Sequence, residues 1–180
     1  MKLYLGCAEP PFHPQHLAVL GNPDDWTWVD YYIDHPKVKK WDASRLDEVE
    51  DGTIEKIYNS HLLEHLPQIH ILQILQTWHR KLVAGGELII NVPDLLWACR
   101  QLTRLENGGI LDGYFFDYDG EHGLMSIFYG AQSHEGEYHK AGFTKKLLNR
   151  LLVNAGFSDV DIIQTVDAHD MGVLIATCKK

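Results

Sequence analysis

At 180 residues and 45% hydrophobic content the chain holds enough apolar material for one domain with a buried core. A formal charge of −9, with Lys145-Lys146 and Lys179-Lys180 forming only short clusters, leaves no cationic face for neutralising phosphates, so nucleic acid is not an expected partner. Cys7, Cys99 and Cys178 are too far apart for a zinc cluster or redox pair and suit a reducing cytoplasm, and no stretch reaches the about 20 apolar residues of a membrane span or resembles a signal peptide.

Leu3 to Leu5 is a brief apolar run stopped by Gly6, and Thr27 to Val29 is another stopped by Asp30; both read as buried strands with polar residues at their carboxyl ends. Pro10, Pro11 and Pro14 confine the intervening helix to about 15–20, and Gly21-Asn22-Pro23 ends it. Further strands are predicted near 38–41 and 56–59. Ile71, Ile74, Leu75, Trp78 and Leu82 recur at helical spacing within 68–83, with Arg80 and Lys81 near the negative end, and Gly85-Gly86 is read as the stop. Glu87 to Val92 is apolar enough for a strand buried on both faces.

From 107 to 142 the pattern dissolves: six glycines lie between Gly108 and Gly130 among aromatics and histidines, which reads as an irregular cover over a site. Thr144 is placed to cap a helix carrying Leu147, Leu148, Leu151 and Leu152, Gly156 to end it, and strands follow near 160–163 and 173–178 as an antiparallel pair. The alternation specifies an α/β, Rossmann-like three-layer sandwich around a mostly parallel seven-stranded sheet with an antiparallel C-terminal strand, formed by residues 1–180 as a single domain.

In such sheets ligands bind beyond the carboxyl ends of the strands where the strand order reverses, which would gather Gly6-Cys7-Ala8, Asp30 and Asp42. Asp30 follows Gly6 at the spacing of a carboxylate that accepts from a ribose diol. A dinucleotide would need free N–H donors at a helix start for its pyrophosphate. Pro10 and Pro11 remove two, Ala8 replaces a glycine, and Glu9 adds negative charge. These disfavour NAD and ATP and suit S-adenosylmethionine, a cation without phosphate.

Leu3-Tyr4-Leu5-Gly6-Cys7-Ala8, Trp28-Val29-Asp30, Trp41-Asp42-Ala43-Ser44, Ser60-His61-Leu62-Leu63-Glu64-His65-Leu66 and Gly85-Gly86-Glu87 through Val92-Pro93-Asp94, with Gly142-Phe143-Thr144 and Asn154-Ala155-Gly156-Phe157, occur in an order that resembles the class I S-adenosylmethionine-dependent methyltransferases. The likeness is strongest to small type 11-like members associated with surface-polysaccharide metabolism. It implies methyl transfer to a small-molecule or saccharide acceptor. It also implies that Gly6, Cys7 and Ala8 admit the methionine part, Asp30 holds the ribose, Asp42 and Ala43 meet the adenine, and Ser60 and His61 border the sulfonium. Leu5 and Tyr31 complete the implied cofactor contacts. The glycine pattern departs from the family's at Ala8.

His61, His134 and His139 are candidate bases, since imidazole titrates where an acceptor hydroxyl must lose its proton. Tyr114, Phe115, Phe116, Tyr118, Phe128 and Tyr129 could wall an acceptor pocket. Two other readings stay open: a binding scaffold that keeps the fold without turnover, and a metal hydrolase using the His61-x-x-Glu64-His65 pattern. The second is set aside because that pattern begins at a strand end and meets Pro67, so no metal is expected and Glu64 and His65 are read as polar ties to neighbouring backbone. A homodimer is left open.

Overall fold

A computed structural model describes residues 1–8, 19–109, 123–167 and 170–180. Seven strands form one sheet: β1 (Lys2–Leu5), β2 (Trp26–Val29), β3 (Val38–Lys39), β4 (Ile54–Ser60), β5 (Leu82–Pro93), β6 (Ser158–Val166) and β7 (Gly172–Lys179), in the order β3-β2-β1-β4-β5-β7-β6. The first five are parallel, and β7 runs antiparallel between β5 and β6. The chain builds outward from β1 to β3 and then returns to place β4 on the other side of β1. That reversal between β1 and β4 opens a crevice at their carboxyl ends.

Alternation along the strands explains why the sheet is buried on both faces. Leu3, Leu5, Ile57, Leu88 and Ile90 enter one core together with helix α1 (Ile71–Lys81) and helix α4 (Lys145–Ala155). Tyr4, Trp28, Tyr58 and Ile89 point to the opposite side, where the Tyr4 ring lies 4.8 Å from Tyr58 and 5.4 Å from Trp28. The Thr144 hydroxyl accepts from Leu147 N at 3.3 Å, and Gly156 closes α4 at φ +105°, both as the sequence implies.

Three expectations need correction. The helix read over 68–83 is a 3-10 turn at Gln68–His70 followed by α1, which stops at Lys81; Leu82 is already extended, and Gly85-Gly86 lies within β5. The cause is Lys81, whose buried ammonium donates to Val49 O and pairs with Asp51 at 3.1 Å, anchoring the chain before the glycines. Next, 95–106 carries an unforeseen helix, α2 (Leu95–Glu106), capped by Asp94 accepting from Leu96 N at 2.9 Å. Finally, the region read as irregular contains helix α3 (Leu124–Tyr129), which packs Leu124 and Ile127 against Ala98 of α2. Glu9, the three prolines after it, most of the helix expected over 15–20, His122, Tyr114, Phe115, Phe116 and Tyr118 lie outside the described residues.

Trp78 ties this core to the crevice. Its ring is fully buried and its indole N–H donates to Ala43 O at 2.7 Å, fixing the loop after β3. Trp78→Phe removes that donor from a buried carbonyl and leaves a void. It is expected to cost about 2–4 kcal/mol, read as an earlier urea midpoint at an unchanged slope.

Candidate functional site

A cleft of about 440 Å³ lies at the carboxyl ends of β1, β2 and β4, within the range of small-molecule sites. Gly6 and Ala8 form one wall, Asp30 and Tyr31 a second, Asp42 and Ala43 a third, and His61 the floor towards β4. A larger groove of about 760 Å³ beside Arg100, Lys145 and β6 contains none of the residues implicated above.

The walls are shaped by their backbone bonding. Gly6 N donates to Val29 O at 2.8 Å and Gly6 adopts φ +67°; a Cβ there would stand 2.9 Å from the Leu62 side chain. Glycine is therefore required both for the turn and for the approach of the two loops. Ala8 also holds positive φ, at 55°, and its N–H donates to Asp30 Oδ2 at 3.1 Å. Asp30 Oδ1 accepts from Tyr32 N at 2.9 Å and Ile33 N at 3.3 Å, so its carboxylate is held at the cleft by backbone on both sides. Asp42 is oriented likewise, its Oδ1 accepting from Ser44 N at 2.8 Å and Ser44 Oγ at 2.6 Å.

Three implicated cofactor residues stand behind this surface. Leu5 and Cys7 are buried in the two cores, so any contact they make with a ligand is through backbone. Ser60 is buried too, its hydroxyl accepting from Asn91 Nδ2 at 3.1 Å. Burial first and the Asp30 carboxylate second push the Cys7 thiol up to about 12, and burial does the same to Cys178. Cys99 is exposed. A thiol reagent at pH 8 should therefore label about one cysteine per folded chain, Cys99, and all three after denaturation, because only the thiolate reacts.

The candidate bases separate. His134 lines the cleft, but its Nδ1 accepts from Gly136 N at 3.1 Å and its Nε2 lies 3.5 Å from Glu137 Oε1, so both nitrogens are engaged. Its ring meets Tyr32 at 5.5 Å, joining the loop after β2 to segment 134–137 across the cleft. His61, at φ 52°, has Nδ1 3.2 Å from Glu64 Oε1 and Nε2 4.0 Å from Asp167 Oδ2. Burial opposes its charge, but those two carboxylates outweigh burial and raise its pKa, favouring a proton donor over a base. His139 does not reach this cleft; it borders a small adjoining cavity with Glu64.

His65, read from sequence only as a structural tie, does line the cleft. Its Nδ1 sits 3.3 Å from Tyr138 O, as a tie would, while burial above all keeps its pKa low and the ring neutral. The side-chain tie expected of Glu64 is not made: its carboxylate has no backbone partner, and it is the Glu64 backbone carbonyl that accepts from Lys140 N at 2.7 Å and Ala141 N at 2.9 Å. Lys140, Leu66 and Tyr32 are further lining residues that the sequence reading did not single out.

No family model matches the chain, and no curated protein matches it by sequence. Among solved structures it is similar to the Burkholderia thailandensis 1,6-didemethyltoxoflavin-N1-methyltransferase, crystallised with 1,6-didemethyltoxoflavin and S-adenosylhomocysteine: 17% identity, 99% of this chain and 70% of that one, TM-score 0.63. A S-adenosylmethionine-dependent methyltransferase from Archaeoglobus fulgidus gives 16% identity, 99% and 85% coverage and TM-score 0.63. A third, from Thermotoga maritima and described as a possible histamine N-methyltransferase, gives 15%, 99% and 81%, and 0.60. Together with the strand order, these likenesses establish that the chain has the Rossmann-like fold on which S-adenosylmethionine-dependent methyltransferases are built.

Proposed function

We propose that the chain transfers a methyl group from S-adenosylmethionine to a small-molecule or saccharide acceptor. The observation that carries the reading is the convergence of Gly6, Ala8, Asp30, Asp42, Ala43 and His61 on one cleft at the reversal of strand order. The donor set fits a nucleoside without phosphate: two fixed carboxylates face the cleft, and the positive φ at Gly6 and Ala8 brings backbone close where a bulky turn would obstruct.

When bound, the cofactor supplies an activated methyl group on a sulfonium. What remains for this chain is binding, alignment and exclusion of water. Asp30 would accept from the ribose hydroxyls, the Asp42-Ala43 loop would meet the adenine, and the turn at Gly6 would receive the methionine end. Tyr32 and His134 bridge the opening, and segment 134–140 with His65 forms the acceptor side. His61, set between the Glu64 and Asp167 carboxylates, positions this wall. An acceptor oxygen or nitrogen held against this wall would release its proton to solvent.

Calorimetric titration of the purified protein with S-adenosylmethionine and with S-adenosylhomocysteine tests the reading. Micromolar binding of both is expected. A folded protein that binds neither would overturn it.

A further inference from the structure

We propose that Glu64, His65 and His139 form a binding site for a divalent transition-metal ion in the wall of the cleft. One donor atom from each side chain lies within 4.8 Å of the others, the only such group among the described residues. Glu64 is 1% exposed, and neither carboxylate oxygen has a hydrogen-bond partner; the approach of His61 Nδ1 to Oε1 at 3.2 Å is a close charge contact without hydrogen-bond geometry. A buried carboxylate left in this state lacks several of the interactions that burial demands.

The two imidazoles are prepared as ligands. His139 Nδ1 lies 2.9 Å from Ile127 O and His65 Nδ1 3.3 Å from Tyr138 O. A carbonyl can only accept, so both rings carry the proton on Nδ1 and keep the Nε2 lone pair. Tying one ring nitrogen to a backbone carbonyl and leaving the other to the ion is the arrangement that orients metal-binding histidines. The rings stand edge to face at 4.7 Å, and the bonds from Lys140 N and Ala141 N to Glu64 O lock the two segments in register.

Two imidazoles and a carboxylate suit zinc, cobalt, manganese or iron(II) and leave coordination positions open. Metal–donor bonds of about 2.0–2.2 Å would draw the donors together by roughly 1 Å, within reach of side-chain rotation. This set is not the His61-x-x-Glu64-His65 arrangement of a peptidase. Leu63–His65 is a single 3-10 turn, and His61 points its nitrogens at carboxylates instead of sharing an ion with His65.

Because His65 also lines the cleft, an ion here could hold an acceptor hydroxyl and lower its pKa, a role that rests on the methyl-transfer reading; ion binding itself does not. The test uses the full chain stripped with chelator and equilibrated with cobalt(II) or zinc(II) alone, reading metal content after gel filtration and the visible spectrum of bound cobalt. About one equivalent is expected. His139→Asn, a change at a partly exposed position, and Glu64→Gln should each weaken uptake at least tenfold, while His70→Ala, at an exposed histidine outside the group, retains it.

Uptake below about 0.1 equivalents by folded wild type overturns the site, as does loss in His70→Ala matching that in His139→Asn. Circular dichroism establishes folding, and His139→Asn carries the test if Glu64→Gln fails to fold. Calorimetry with S-adenosylmethionine on the same stripped protein separates the two claims. Cofactor binding without ion uptake rejects the metal site alone, and ion uptake without cofactor binding supports the site while rejecting the methyl-transfer reading.

Discussion

Asp30→Ala is expected to weaken S-adenosylmethionine binding by about 100-fold or more, with the protein still folded. Hydrogen bonds to a charged acceptor contribute about 1.5–3 kcal/mol each, and a ribose diol makes two of them, so loss of the carboxylate exceeds the about 2.7 kcal/mol that a 100-fold change represents. Part of the effect is structural, because Asp30 also accepts from Ala8 N, Tyr32 N and Ile33 N. Asp30→Asn separates the two contributions: its amide oxygen still accepts from the loop, but its charge and second acceptor are gone. Calorimetry should place Asn between wild type and Ala for the cofactor, while thermal unfolding leaves Asn near wild type. Equal affinity in wild type and both variants would remove Asp30 from the site.

Much of this cleft was legible from local chemistry. A strand that ends in glycine and a strand that ends in aspartate already point their polar residues the same way once both are parallel in one sheet. Thr144 and Gly156 marked the ends of α4 because capping is a property of one or two residues. Helix α2 was missed because Leu95, Leu96 and Trp97 run together and blur the period; only Ala98 is fully buried, and the legible signal was Asp94 as a cap. Gly85-Gly86 misled because a buried lysine four residues earlier had already ended the helix. The meeting of Glu64 and His65 with His139 was not readable, since it depends on two long-range backbone bonds from Lys140 and Ala141. Neighbouring charge likewise changed the reading of a histidine: the titration range of imidazole offered His61 as a base, and the two carboxylates beside it raise its pKa against the opposing effect of burial.

His61→Ala is expected to destabilise the metal-free protein by about 3 kcal/mol near pH 6.5, the low end for breaking a buried ion pair because the His61 side chain keeps 30% of its surface in solvent. The loss should depend on pH in a defined way. His61 has a raised pKa in the fold, so its contribution is complete below its ordinary value of 6.5 and disappears as pH rises through the folded value. Burial pushes the Glu64 carboxyl up, but His61 with His65 and His139 outweighs it and holds the carboxyl below its ordinary 4.5, so that contribution is complete above 4.5 and disappears as pH falls further. His65, kept neutral, opposes stability below 6.5 in wild type and variant alike. In the variant the carboxyl has lost its strongest partner and takes up a proton as the solution becomes acidic, relieving its unpaired charge. Urea titrations in chelator from pH 4.5 to 8.5 should therefore show the gap between wild type and His61→Ala widest near 6.5 and narrowing on both sides. A gap constant across that range would mean that His61 and Glu64 are joined by a neutral hydrogen bond, and the proposed charge pair in the wall of the cleft would go with it.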